Sequence, residues 1–118
     1  MNKVLFFDLD NVICKTQKNF YKKSLPKKKV INFVNYLYDN GYIINIYTAR
    51  FMKKFNGNKK MVIKYGYSFT KKQLVKWKLK FHKLILCKPS YDYFVDDKAI
   101  GFSSKWIKEM KLKLNIKK

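Results

Sequence analysis

Val4-Leu5-Phe6-Phe7-Asp8-Leu9-Asp10-Asn11-Val12 decides how the rest of the chain is read. An unbroken apolar run from Val4 to Phe7 suits a strand buried on both faces of a sheet, where polar alternation is not needed. The run ends in a carboxylate, Asp8, and a second, Asp10, follows two residues on. In open parallel sheets ligands bind beyond the carboxyl ends of the strands, so these acids stand where chemistry is expected. The run is also far too short for a signal peptide, and no stretch approaches the ~20 apolar residues that span a bilayer. The expectation is a cytoplasmic protein with no membrane partner.

Working outward, residues 14–25 are polar and aromatic without periodicity, which predicts a loop or flap. Pro26 suits the first turn of a helix, in which Val30, Phe33, Val34 and Leu37 share a face and Gly41 caps the end. Tyr42 to Tyr47 reads as a second buried strand closed by Thr48-Ala49-Arg50. A helix is expected over Asn58 to Tyr65, and a separate one begins at an N-capping Thr70 with Leu74, Trp77 and Phe81 on one face. Leu84-Ile85-Leu86 is a third strand and Tyr93-Phe94-Val95 a fourth. Ser104 caps a last helix bearing Trp106, Ile107, Met110 and Leu114. Strands alternating with helices predict one α/β domain over residues 1–118, Rossmann-like, with a parallel sheet covered by helices on both faces. No segment is long enough for a cap domain.

Composition narrows the chemistry. At 118 residues and 47% hydrophobic, the chain can bury one core. Two cysteines without a CxxC and one histidine, His82, exclude a zinc site made of these ligands. A Ser-His or Cys-His nucleophile system would rest on His82 alone. The net charge is +21, from 28 basic residues against 7 acidic, and every basic residue but Arg50 is lysine. An AT-rich genome explains lysine over arginine, but not the scarcity of glutamate. The excess points to anionic substrates or partners, with nucleic acid the alternative to a phosphorylated small molecule.

Four of the 7 acids fall at predicted strand ends, namely Asp8, Asp10, Asp96 and Asp97, although acids are rare elsewhere. Thr48 ends the second strand and Lys88 follows the third. In a parallel sheet these ends share one edge. Crowded carboxylates repel unless a cation neutralises them, and oxygen-only ligands favour Mg²⁺. Lysine and threonine then supply charge and hydrogen bonds to a transferring phosphoryl group.

FDLDNV (Phe7 to Val12) with Thr48, Lys88 and Asp96-Asp97 resembles the four motifs of the haloacid dehalogenase-like phosphatases, over nearly the whole chain. The resemblance implies Asp8 as the nucleophile of an aspartyl-phosphate, and Asp10 as general acid and then base. It also implies Thr48 and Lys88 as holders of the phosphoryl oxygens. Mg²⁺ would be ligated by Asp8, Asp96 and the backbone carbonyl of Asp10, with Asp97 supporting its water shell or orienting Lys88. IYTAR (Ile46 to Arg50), FTKKQLVKW (Phe69 to Trp77) and KPSYDYFVDDKA (Lys88 to Ala99) are similar to small capless phosphatases of capsule and lipopolysaccharide biosynthesis, distant relatives of 3-deoxy-octulosonate 8-phosphate phosphatase. On that likeness Ala49 and Arg50 support the site. Asn11 and Cys87 stand where glycines are usual or frequent, and Val12 where threonine is common.

The implied activity is Mg²⁺-dependent hydrolysis of a phosphomonoester, a sugar phosphate of surface polysaccharide synthesis. The alternatives are a nucleotide or nucleic-acid-end phosphatase and a non-catalytic nucleic-acid-binding protein on the same fold. Phe20, Tyr21, Phe51 and Phe55 either stack bases or pack a flap and helix. An uncovered site would admit bulky substrates or call for a neighbouring subunit to screen it from water; capless relatives point to a homo-oligomer, while a charge of +21 argues against close self-association. A receiver domain is set aside because no acid ends the Tyr42 to Tyr47 strand.

Overall fold

In the computed structural model, which describes residues 2–117, the apolar runs form a small parallel sheet, β1 (Val4–Phe7), β4 (Ile43–Tyr47) and β5 (Lys83–Ile85), with β4 in the centre. Register pairs Phe7 with Ile46, and Ile46 with Leu84, so Leu5, Phe7, Ile44, Ile46 and Leu84 share one face. Between β1 and the first helix, β2 (Cys14–Lys15) and β3 (Leu25–Pro26) pair antiparallel around a 3₁₀ turn at Tyr21–Lys23. The predicted loop is thus a short clasp, and Pro26 belongs to it rather than to the helix.

Helix α1 (Lys28–Asp39) buries the predicted stripe of Val30, Phe33, Val34 and Leu37, together with Ile31. Gly41 follows in the left-handed region, at φ 89°, where a side chain would be strained. Helix α2 (Lys59–Lys76) is capped by Asn58, whose side chain accepts the Met61 N–H at 3.2 Å. It replaces the two helices expected there. Nothing between Tyr65 and Thr70 breaks the ladder, and Thr70 is a fully buried interior residue rather than a cap. Gly66 lies mid-helix because a Cβ there would stand 2.7 Å from the Phe51 ring and 2.9 Å from Leu86. Helix α3 (Trp106–Lys113) begins at Lys105, not Ser104, and its Trp106 packs edge-on against Phe7 and Phe33.

Two expectations about the sheet are corrected. Tyr93-Phe94-Val95 forms no strand: Tyr93 is 92% and Val95 97% exposed, and β1 pairs only with β4. The run has strand-like residues, but side chains this exposed bury too little surface to offset ordering. The helices also do not cover both faces. Trp106 of α3 meets Phe7, α1 packs on β4, and α2 approaches Leu86, two residues beyond Leu84 on the same face. On the opposite face Val4 and Phe6 remain 55% and 57% exposed, against the reading of β1 as buried on both sides. The chain is therefore an α/β protein with a three-stranded parallel sheet and its helices grouped on one face. No described helix is long and apolar enough to cross a membrane.

Candidate active site

Past the end of β1 the chain turns sharply, with the N–H groups of Val12, Ile13 and Cys14 all directed at the Leu9 carbonyl. Asn11 takes a left-handed conformation here, φ 67°, which asparagine tolerates better than most residues, and its side chain accepts the Thr16 N–H at 3.1 Å. The turn sets Asp8 and Asp10 on one wall of a cavity of about 810 Å³, which Thr48, Ala49 and Arg50 also line.

Beyond the strands the ladder between β4 and β5 continues. Thr48 N–H donates to the Ile85 carbonyl at 3.0 Å, and Lys88 N–H to the Thr48 carbonyl at 3.1 Å. Cys87, the other position of expected glycine, is also left-handed, φ 68°. This turn brings the Lys88 ammonium 3.6 Å from Asp8 Oδ2. The tyrosine rings of Tyr47 and Tyr91 and the ring of Phe94 surround the same ammonium at 5.8, 5.2 and 5.9 Å.

The two acids have opposite surroundings. Asp8 takes the Leu9 N–H on Oδ1 at 2.8 Å and leaves 41% of its side-chain surface open. Burial of the carboxyl pushes its pKa above the ordinary value, Lys88 opposes the rise, and Asp10 adds to it. Asp10 is locked by the fully buried Arg50 side chain, whose Nε donates to Oδ1 and Oδ2 at 3.1 and 3.0 Å and whose Nη2 donates to Oδ1 at 2.9 Å. Thr16 Oγ1 adds a 2.6 Å bond to Oδ1. Since the Thr16 proton is thereby used, Ser24 donates to Thr16 across 2.6 Å, and Arg50 Nη2 reaches Ser24 at 3.3 Å. Cys14 lies against the same oxygen at 3.6 Å, and burial pushes its thiol up, so it stays protonated at neutral pH. Gln73 of α2 completes the clasp, accepting from Arg50 Nη1 at 2.6 Å and donating to the Tyr21 carbonyl at 2.7 Å.

The structure therefore brings together Asp8, Asp10, Thr48, Ala49, Arg50 and Lys88. It does not bring Asp96 or Asp97 to them. Both are exposed in the segment that leaves the sheet, and Asp96 accepts the Lys98 N–H at 2.8 Å in a local turn. Among the described residues no group of three acids, cysteines or histidines is placed to hold a metal. As arranged, the described residues do not gather the expected Mg²⁺ set, because Asp96 is not placed beside Asp8 and the Asp10 backbone carbonyl, and Asp8 is paired with Lys88. His82 serves elsewhere: its Nδ1 accepts the Ile44 N–H at 3.0 Å and its ring stacks on Tyr38. Cys14 and Cys87 are both free thiols.

No protein-family model matches the chain, and no curated relative does. Among solved structures, it is similar to a crystal structure of a target protein from Vibrio cholerae, with a TM-score of 0.79 and 23% identity over 95% of this chain and 98% of that one. The fold is shared. At that identity the likeness carries the architecture and nothing about activity.

Of the residues supporting Asp10, Tyr21 stood out in the sequence only as one of several aromatics, Gln73 lay in a predicted helix, and Cys14, Thr16 and Ser24 were not legible as site residues, because small polar residues in an aperiodic stretch look like any loop. One signal pointed at them. Arg50 is the single arginine among 28 basic residues, and a flat five-donor fork is the one thing lysine cannot supply.

Proposed function

We propose that this protein is a phosphomonoester hydrolase of the haloacid dehalogenase-like type, acting on a sugar phosphate through an aspartyl-phosphate at Asp8. The observation that carries the reading is the division of labour between the acids. Asp8 opens into the cavity with Lys88 at 3.6 Å, while Asp10 beside it is held by a two-pronged arginine.

The chemistry follows from these residues. An Asp8 carboxylate oxygen attacks phosphorus, the P–O bond to the substrate breaks, and the phosphoryl group passes to Asp8. Lys88 and Thr48 face the charge spread over the phosphoryl oxygens. The leaving alkoxide needs a proton, and Asp10 Oδ2 is the atom to deliver it, because Oδ1 is filled by Thr16 and Arg50 whereas Oδ2 takes only the Arg50 Nε bond. The same oxygen, left as an anion, accepts the proton of the water that cleaves the aspartyl-phosphate. Phosphate release with Mg²⁺ and with EDTA reads the metal requirement directly.

The sugar-phosphate reading is preferred to a nucleic-acid end because the aromatic side chains near the cavity are already engaged. The Arg50 guanidinium lies 4.8 Å from the centre of the Tyr21 ring, and Phe51 is enclosed by Tyr21, Phe55 and Phe69. These rings pack the clasp and helix and are not free to stack bases, although Phe20 stays 55% exposed. The test is phosphate release from sugar phosphates, nucleotides and end-phosphorylated oligonucleotides, with Mg²⁺ and with EDTA, for the protein and Asp8→Asn. Release from sugar phosphates that vanishes in Asp8→Asn is the expected result. Release unchanged by Asp8→Asn overturns the mechanism.

A further inference from the structure

We infer that the cavity takes a phosphate monoester carrying a second phosphate group, which Lys18, Lys53 and Lys54 hold at the outer wall; this rests on the phosphatase reading of the inner wall. All three lysines line the cavity that Asp8 opens into, yet they come from two separate loops.

Charge balance is the first reason. Inside, two acids meet two cations, Asp8 with Lys88 and Asp10 with Arg50. Outside, none of Lys18, Lys53 and Lys54 forms an ion pair among the described residues. Three ammonium groups lining one cavity without an ion pair, Lys54 resting 5.5 Å from the centre of the Phe55 ring, create a field that a neutral sugar does not answer. A phosphate near two negative charges answers it better than a carboxylate with one. Lysines are point charges suited to phosphate, whereas planar carboxylates are matched by the arginine fork used on Asp10.

Backbone conformation is the second, independent reason. Lys18 has φ 54° in a turn closed by the Phe20 N–H on the Gln17 carbonyl at 3.1 Å, a position that ordinarily favours glycine. Phe51 has φ 69° immediately before the turn that carries Lys53 and Lys54. Strained conformations on bulky side chains persist where the surroundings over-determine them, which is common at ligand sites. Here Phe51 is fixed by three aromatic neighbours and by the close approach of Gly66. The loop that carries Lys53 and Lys54 is thereby anchored at Phe51, which lowers the cost of ordering it around a ligand.

The test is binding rather than turnover, measured by calorimetry on the Asp8→Asn protein with three six-carbon 6-phosphates that carry different groups at C1. Fructose 6-phosphate has a hydroxyl at the far end, 6-phosphogluconate a carboxylate and fructose 1,6-bisphosphate a phosphate. The bisphosphate is expected to bind roughly tenfold tighter than the 6-phosphate at ~0.1 M salt. Lys18→Gln/Lys53→Gln/Lys54→Gln in the same background is expected to erase that preference and leave 6-phosphate binding within about twofold. Equal binding of the first and third ligands, or a preference that survives the triple change, overturns the subsite. Tighter binding of 6-phosphogluconate than of the bisphosphate overturns its assignment to phosphate. A 5′-phosphorylated dinucleotide outranking all three overturns the compact substrate. Since the readout needs no catalysis, failure of every ester to release phosphate from the wild-type protein would sink the phosphatase reading while leaving this result standing.

Discussion

The two acids at the end of β1 sit two residues apart, yet their surroundings are made of opposite materials. Around Asp10 the partners are enclosed: a fully buried arginine, two buried hydroxyls, a buried thiol and a glutamine from α2 hold the carboxylate in a network of hydrogen bonds and leave Oδ2 toward the cavity. Around Asp8 the partner is a lysine on a flexible stem, and the rings beside that lysine are half exposed, Tyr91 at 49% and Phe94 at 58%. The enclosed half ties β1, the clasp and α2 into one unit. The open half, which faces the ligand, is assembled from the segment that leaves the sheet after β5. Rigidity is spent on holding the acid-base group, and freedom is left where a phosphoryl group must enter.

The largest effect is expected from breaking the enclosed half. Arg50→Ala leaves the Asp10 carboxylate facing Cys14, Thr16 and Ser24 without a cation, which costs about 3–5 kcal/mol for a buried pair cut on one side. Thermal denaturation should register that as a fall in Tm of about 10 °C or more. The surface pair Lys80–Asp39, at 2.7 Å but with side chains 48% and 55% exposed, supplies the contrast. Lys80→Ala should cost less than about 1 kcal/mol. Equal losses for the two changes would break the distinction between the enclosed pair and an ordinary surface one.

The open half should answer in rate rather than stability. Lys88→Met is expected to lower kcat/KM by about 10²–10³ through loss of charge at the phosphoryl group. It also removes the cation that restrains the rise of the Asp8 pKa. Asp8 must be ionised to attack, so the acid limb of the kcat/KM profile should move to higher pH. A limb that stays in place would mean Lys88 does not face Asp8 in solution. Truncating the rings is the finer cut: Tyr91→Ala/Phe94→Ala should move the limb in the same direction, by less, with a loss of roughly three- to tenfold in kcat/KM. Tm should stay within about 1 °C, since both rings are largely open to solvent.

The same contrast explains what could be read in advance. The strands, the α1 stripe and the convergence of Asp8, Asp10, Thr48 and Lys88 follow from local signals, apolar runs closed by polar residues at strand ends. The turns at Asn11 and Cys87 were visible as departures from glycine, and both proved to be left-handed. Among the readings that failed, three depend on tertiary context that periodicity does not encode. Tyr93 to Val95 has strand composition but makes no pair with β1, so Asp96 and Asp97 are not carried to the site. Thr70 has the chemistry of a cap but lies inside a helix that Asn58 already starts. Val4 and Phe6 are apolar yet face outward because the helices gather on the other side of the sheet.

The smallest expected effect probes the cost of keeping Asp8 ready. Its carboxyl has a pKa raised by burial above the ordinary 3.8, so between that value and the folded one the native protein binds more protons than the unfolded chain. Stability therefore falls as pH rises through this window and stays lower above it. Asp8→Asn removes the titrating group and should stabilise the protein at neutral pH, with the gain disappearing below pH 3.8, where the native carboxyl is itself neutral. The side chain keeps 41% of its surface exposed and loses its contact with Lys88 on substitution, so both screening and the lost pair shrink the gain. A rise in Tm of about 1–3 °C at pH 7, fading in acid, is the expected result by thermal denaturation. The same substitution that ends phosphate release would then make the fold slightly firmer, as expected of a carboxylate kept for chemistry. A Tm that falls at pH 7 would instead assign the Asp8–Lys88 pair to the structural framework and bring the open half closer in kind to the enclosed one.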